Sequence, residues 1–162
     1  MVGLKRRVVV VGLGNVLMGD DGVGVRVAEE LLRLNLPPSV AVYPVGTPGL
    51  ALLHLIEGYE KVVLIDAIEM GGEPGTVYRL DFSPSLFNDV GFLSMHDFDA
   101  VAALRLAIGA GVPLGEVVII GIEPKRICFG EALSSEVEAS IPKVVGLVLK
   151  EVGEGEPHAT LP

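Results

Sequence analysis

Three side chains in this 162-residue sequence are of types that can work together on one bond: Asp21, Asp66 and His96. Two carboxylates and one imidazole make a ligand set of two oxygens and one nitrogen. Such a set leaves positions open for water or substrate and suits Zn2+ or Ni2+. The other reactive types are less promising. His54 falls inside a short apolar helix and reads as a partly exposed surface histidine, and His158 lies in a polar tail. Cys128 is the only cysteine. A thiol nucleophile needs a histidine base and His96 is already assigned, so Cys128 reads as a small apolar residue after the last strand.

Because the three residues are far apart in the chain, the elements between them must bring them together. Val8–Leu32 (VVVVGLGNVLMGDDGVGVRVAEELL) starts with the composition of a strand buried on both faces and then breaks into glycine-rich sequence ending in two acids. From Val23 the period changes, and Val23, Val27, Ala28, Leu31 and Leu32 form one helical stripe opposite Arg26, Glu29, Glu30 and Arg33. Asp20 and Asp21 therefore sit at a helix start, where one of them is expected to cap the free N–H groups. A cap needs only one acid. The Gly12-Leu13-Gly14 pattern does not extend to a dinucleotide fingerprint, since the third glycine would fall at Leu17, and no Lys-Ser or Lys-Thr completes a phosphate loop. Gly12, Gly14 and Asn15 are expected to shape this loop rather than react.

Further along, Val40–Val45 reads as a strand whose Pro44 puts it at an edge or a bend, and Gly46-Thr47-Pro48-Gly49 as a turn. Leu50–Gly58 reads as a short helix. Lys61–Ile68 is a second doubly buried strand with Asp66 near its carboxyl end, the edge at which open α/β sheets bind ligands. Gly75–Leu80 is a strand with one wet face. Asp81–Leu93 is an irregular loop, long for so compact a chain, that leads into Ser94-Met95-His96-Asp97 and a helix carrying Phe98, Val101, Ala102, Leu104, Arg105 and Ile108. Glu116–Ile122 is the last buried strand and Ser134–Val152 the closing helix, interrupted by Pro142. Strands and helices alternate throughout. The pattern predicts a three-layer α/β/α sandwich with a five-stranded, mostly parallel twisted sheet, one domain over residues 1–152, and a flexible tail over Gly153–Pro162.

Composition narrows the function classes. Mean hydropathy is +0.57, which buried parallel strands explain. The longest uncharged stretch, Leu34–Ile56, contains Pro37, Pro38, Pro44 and Pro48, so no membrane span is expected. Met1–Arg7 does not resemble a signal peptide, and the lone cysteine fits a cytoplasmic protein. A net charge of −9 with scattered Lys and Arg argues against nucleic acid as a partner.

At its chemical residues the chain resembles the hydrogenase maturation proteases, endopeptidases that trim the C-terminus of the large subunit of nickel–iron hydrogenases. Gly12–Gly24 reads G-x-G-N-x-L-x-x-D-[DE]-x-x-G, and the Gly-Thr-Pro-Gly turn at Gly46–Gly49, Asp66-Ala67, Pro74-Gly75 and His96 continue the resemblance over nearly the whole chain. The first of these motifs is the specific one. The resemblance implies that Asp21, Asp66 and His96 are both the metal ligands and the catalytic residues. It also implies that the nickel they recognise is carried by a hydrogenase large-subunit precursor, with zinc or another divalent ion as a substitute in purified protein, and that the protease is a monomer. Bound beside the scissile peptide, the ion would polarise its carbonyl or lower the pKa of water; without metal, the two acids would share a proton as an acid–base pair. The other outcome left open is a binding module that recognises the nickel-loaded subunit without cutting it. Residues Glu123–Ala132, after the last strand, depart most from the family pattern.

Overall fold

The computed structural model describes residues 5–83 and 98–153. Most of the expected Asp81–Leu93 loop, the Ser94–Asp97 segment with His96, and the tail from 154 onward lie outside the described residues. Five strands, β1 (Val8–Leu13), β2 (Val40–Gly46), β3 (Lys61–Ala67), β4 (Val77–Asp81) and β5 (Glu116–Ile122), make one sheet in the order β2-β1-β3-β5-β4. All neighbours run parallel except β4, which is antiparallel to β5. Among the described residues four α-helices accompany them: α1 (Val23–Leu32), α2 (Leu52–Ile56), α3 (Phe98–Gly109) and α4 (Ser135–Glu151). The α/β sandwich with a mostly parallel five-stranded sheet is the expected architecture.

Side-chain alternation divides the core in two. Val8 and Val10 of β1, Val63 and Ile65 of β3, and Val118 and Ile120 of β5 pack with Val27 and Leu31 of α1 and Val144 and Val148 of α4. The intervening residues Val9, Val11, Val62, Leu64, Val117 and Ile119 pack with Leu52 and Ile56 of α2 and Leu104 of α3. Each side chain removed from water in this way contributes about 1.5–3 kcal/mol before chain entropy is counted. Proline has the expected effect in β2. This strand is an edge, and the register slips so that Gly12 faces Pro44 while Leu13 faces Gly46, a bulge that leaves Val45 over.

Val23, Val27, Ala28 and Leu31 of the expected α1 stripe and Val101 and Leu104 of α3 are buried, and the two helices depart from the sequence reading only at the margins. In α1, Leu32 is exposed and Val25 and Gly24 are buried, because the helix lies on the sheet by its glycine side. In α3 the small residues Ala103 and Ala107 face inward and Ile108 stays outside. The helical period and its main stripe were legible, and the fit against the sheet decides which flanking positions are buried with it.

Glycine determines how closely α1 can lie. A Cβ on Gly24 would stand 2.1 Å from the Ile65 carbonyl oxygen and 2.4 Å from that of Leu13, so helix backbone touches strand backbone here. A Cβ on Gly12 would likewise stand 2.3 Å from the Gly24 carbonyl oxygen and 2.7 Å from the Ala28 Cβ. At the opposite pole, an ion network ties the sheet to α4. The Lys61 ammonium, in a buried strand, lies 2.7 Å from Glu151, which also accepts from the Arg79 guanidinium. Hydrogen bonding from Arg79, reinforced by Lys61, holds the Glu151 carboxyl below its ordinary value.

Gly24→Ala should lower unfolding free energy by about 3 kcal/mol through overpacking, whereas Gly146→Ala in α4, with nothing near its missing Cβ, should raise it by about 0.5–1 kcal/mol. Urea denaturation measures both. Because folding lowers the Glu151 pKa, its contribution is complete above the ordinary carboxylate range and is lost as pH falls through that range toward the folded value. Glu151→Gln should therefore cost about 1–2 kcal/mol at neutral pH and flatten the acid side of the stability–pH curve.

Candidate active site

β1 has β2 on one side and β3 on the other, and the chain reaches them by way of α1 on one face and α2 on the opposite face. The strand order thus reverses between β1 and β3, and their carboxyl ends border the crevice where open α/β sheets bind ligands. β3 delivers Asp66 to this edge. The last pairing between the two strands is Gly12 with Ile65, so the chain just beyond β1 lies beside Asp66.

From β1 the backbone turns through Gly14, at φ +117°, into a single turn of 3-10 helix, Gly19–Gly22, that leads directly into α1. Asp21 lies in that turn, buried at 3% exposure, and its Oδ2 accepts the Asn15 N–H at 2.8 Å. Asn15 in turn holds the loop through its Oδ1, which accepts the Leu17 N–H at 2.9 Å. Asp66 is 9% exposed, and its Oδ1 accepts the N–H of Ala67 at 2.8 Å. The two acids line one cleft with Gly14, Gly46, Thr47, Pro48 and Ala100. Gly14 stands between them, since a Cβ there would come within 1.7 Å of the Asp21 carbonyl oxygen and 3.4 Å of the Asp66 Oδ1. Burial of a carboxylate is costly unless it is hydrogen-bonded, and a backbone N–H meets one oxygen of each acid here.

The structure therefore brings Asp21 and Asp66 together, while His96 lies outside the described residues. Among the described residues no group of three His, Cys, Asp or Glu converges as a metal site. His54 is exposed, as expected.

The expected helix cap is a correction. Neither Asp20 nor Asp21 caps α1, whose N-cap is Gly22 with no side-chain bond. Asp20 is instead fully buried and reaches across to the segment between β5 and α4. Its Oδ2 accepts the N–H groups of Lys125 at 2.9 Å and Arg126 at 3.1 Å and the Ser134 hydroxyl at 2.8 Å, and its Oδ1 accepts the Ser134 N–H at 2.6 Å. A second acid escaped notice altogether. Glu123, just past β5 and 5% exposed, accepts N–H groups from Met70 at 2.8 Å and Gly71 at 3.1 Å and the Tyr78 hydroxyl at 3.0 Å. Burial and that acceptor raise the Tyr78 hydroxyl above its ordinary pKa. The available signal was its place, an acid at the carboxyl end of a buried strand, the same signal that marks Asp66.

A family model described as hydrogenase maturation protease matches residues 25–151. The chain belongs to the hydrogenase maturation protease family. It is 33% identical over 141 residues to the hydrogenase expression/formation protein HoxM of Cupriavidus necator, an alignment covering 85% of this chain and 70% of that one. The fold matches the hydrogenase maturating endopeptidase HybD of E. coli with a TM-score of 0.81 at 29% identity, over 91% of this chain and 93% of that chain. It also matches the hydrogenase 2 maturation peptidase of a Thaumarchaeota archaeon with a TM-score of 0.72 at 37% identity, over 93% and 100% of the two chains. The hydrogenase maturation endopeptidase is a peptide hydrolase, which sets aside the non-cleaving binding module. Among the described residues, no helix is long and apolar enough to cross a membrane.

Two variants separate the roles of this loop. Asp20→Asn places an amide N–H2 where only acceptors are wanted and should cost roughly 2–4 kcal/mol of stability. Gly14→Ala should damage both stability and peptidase activity, since the added Cβ and the positive φ are each incompatible with the loop. Thermal unfolding and precursor processing, measured side by side, check both expectations.

Proposed function

We propose that this maturation endopeptidase removes a C-terminal extension from the precursor of a nickel–iron hydrogenase large subunit after nickel insertion, and that Asp21, Asp66 and His96 recognise the inserted nickel. The observation that carries the reading is the meeting of Asp21 and Asp66 in one cleft at the carboxyl edge of the sheet. Two carboxylates opening into one cleft suit a divalent ion, and a histidine nitrogen would complete a donor set compatible with nickel. In this reading the ion arrives with the precursor, already held by groups of the substrate. Its positive charge would give the acids a docking point and would polarise the peptide carbonyl.

The remaining steps belong to the chain itself. The N–H groups of Asn15 and Ala67 fix the two carboxylates, so the cleft is organised before substrate arrives. A carboxylate at this position accepts a proton from water as the water oxygen bonds to the scissile carbonyl carbon. It returns that proton to the departing amine as the C–N bond breaks. An empty precursor brings no cation to balance the acids, so cleavage depends on completed insertion. The reading places the enzyme in the cytoplasm as a monomer.

Asp21→Asn, Asp66→Asn and His96→Ala are each expected to reduce processing by about a hundredfold to ten-thousandfold while the protein still folds. The deciding experiment mixes metal-free protein with nickel-loaded precursor, and nickel-supplied protein with apo-precursor, and follows the precursor mass. Cleavage is expected only in the first mixture. Equal cleavage of the apo-precursor would overturn the substrate-borne metal and leave an ordinary acid–base peptidase site.

A further inference from the structure

Beside the acidic cleft lies an apolar surface that the site itself does not use. Phe129 is 79% exposed, Leu17 60% and Val16 51%. Solvent contact at three neighbouring apolar side chains is unfavourable, and such patches on otherwise well-folded proteins mark interaction sites. These residues sit on loops held firmly in place. The Gly130 N–H donates to the Leu17 carbonyl oxygen at 2.9 Å, the Asp20 N–H donates to that of Arg126 at 3.1 Å, and the fully buried Asp20 carboxylate takes the bonds from Lys125, Arg126 and Ser134 described above. Exposure of Phe129 is therefore built into the fold.

A chain of hydrogen bonds links this surface to the cleft. Asp21 is bonded to Asn15, Asn15 to Leu17, and Leu17 to Gly130, the residue after Phe129. A polypeptide whose scissile bond reaches Asp21 must pass this edge or its opposite. Next to the patch, a groove runs between Val16, Arg26, Glu131 and Glu138. The ion pairs that engage its charges are long, at 3.8 Å for Arg26 with Glu29 and 3.7 Å for Glu131 with Arg126, and all four side chains are about half exposed. Pairs of that kind hold little energy and exchange readily for a partner's charge. With two acids to one base in the groove, on a chain of net charge −9, the complementary partner surface is basic.

We infer that Val16, Leu17 and Phe129, with Glu131 and Glu138 beside them, dock the folded body of the hydrogenase precursor through a surface segment that carries an apolar side chain next to a Lys or Arg. The inference rests on the proposed function only in taking that precursor as the substrate. It assigns to the segment after β5 the task of choosing the precursor, while the acids test whether nickel is present.

The experiment measures steady-state processing of nickel-loaded precursor by wild type, Phe129→Ser, Leu17→Ser and the double variant Glu131→Lys/Glu138→Lys, with thermal unfolding of each. The serine variants are expected to raise KM about tenfold with kcat and melting temperature unchanged. The charge-reversed variant is expected to raise KM at low salt, with a difference that shrinks as salt screens it. Wild-type KM in all three variants would overturn the docking surface, as would a loss confined to kcat. Sedimentation supplies a further test. A wild-type dimer that Phe129→Ser converts to monomer at unchanged KM would assign the patch to a second copy of this chain. If wild type leaves nickel-loaded precursor uncut, the proposed function itself fails; if wild type cuts and the variants match it, only the docking surface fails.

Discussion

The structure depends on one backbone contact, the seating of α1 at Gly24 against the carbonyls of Leu13 and Ile65. Interiors are packed close to crystal density, so a helix cannot approach a sheet this closely if a Cβ stands between them. Glycine at 12 and 24 removes that obstacle from both sides. Once α1 is seated, the turn that precedes it has no freedom of placement. It must cross the ends of β1 and β3, and so Asp21 arrives above Asp66.

The adjacent acids Asp20 and Asp21 illustrate how one short turn serves two purposes. Successive residues in it point different ways. Asp20 is directed into the protein, where four hydrogen bonds from Lys125, Arg126 and Ser134 offset the cost of burying its charge. Asp21 is directed to the cleft, where one backbone N–H orients it. Glu123 performs for the connection between β3 and β4 what Asp20 performs for the one between β5 and α4. Buried carboxylates are thus the fastenings of the loops at the carboxyl edge, and a loop edge fastened in this way presents fixed groups to a substrate.

Charge is arranged differently at the amino-terminal end of the same strands. There Lys61, Arg79 and Glu151 pair with one another, and the network joins sheet to helix. The separation has a physical basis. Paired opposite charges satisfy each other and stabilise a fold at neutral pH, whereas two carboxylates brought together repel each other and suit a cation. The end with mutually satisfied ions is built for stability, and the end with clustered acids is suited to chemistry.

Much of this was determined by the sequence alone. Runs such as VVVV and KVVLIDAI, short and β-branched, read as strands buried on both faces, and period and glycine punctuation located the four helices of the described residues and the sheet class. Asp66 was marked because a charge in an apolar run requires a reason, and Asp21 because a single cap does not need two acids. The specific glycine-rich motif also indicated the family. Tertiary structure decided the rest. Nothing in the local pattern says which of two neighbouring aspartates faces inward, and that choice follows from donors on Lys125, Arg126 and Ser134, more than a hundred residues away in the chain. The margins of the buried stripes of α1 and α3 were likewise set by close packing, which admitted Gly24 and Ala107 where hydrophobicity favoured Leu32 and Ile108. Glu123 stayed inconspicuous because its partners Met70, Gly71 and Tyr78 are adjacent to it only in space. Periodicity reports how far each residue is buried on its own element; the identity of a buried polar group's partner is a property of the assembled fold.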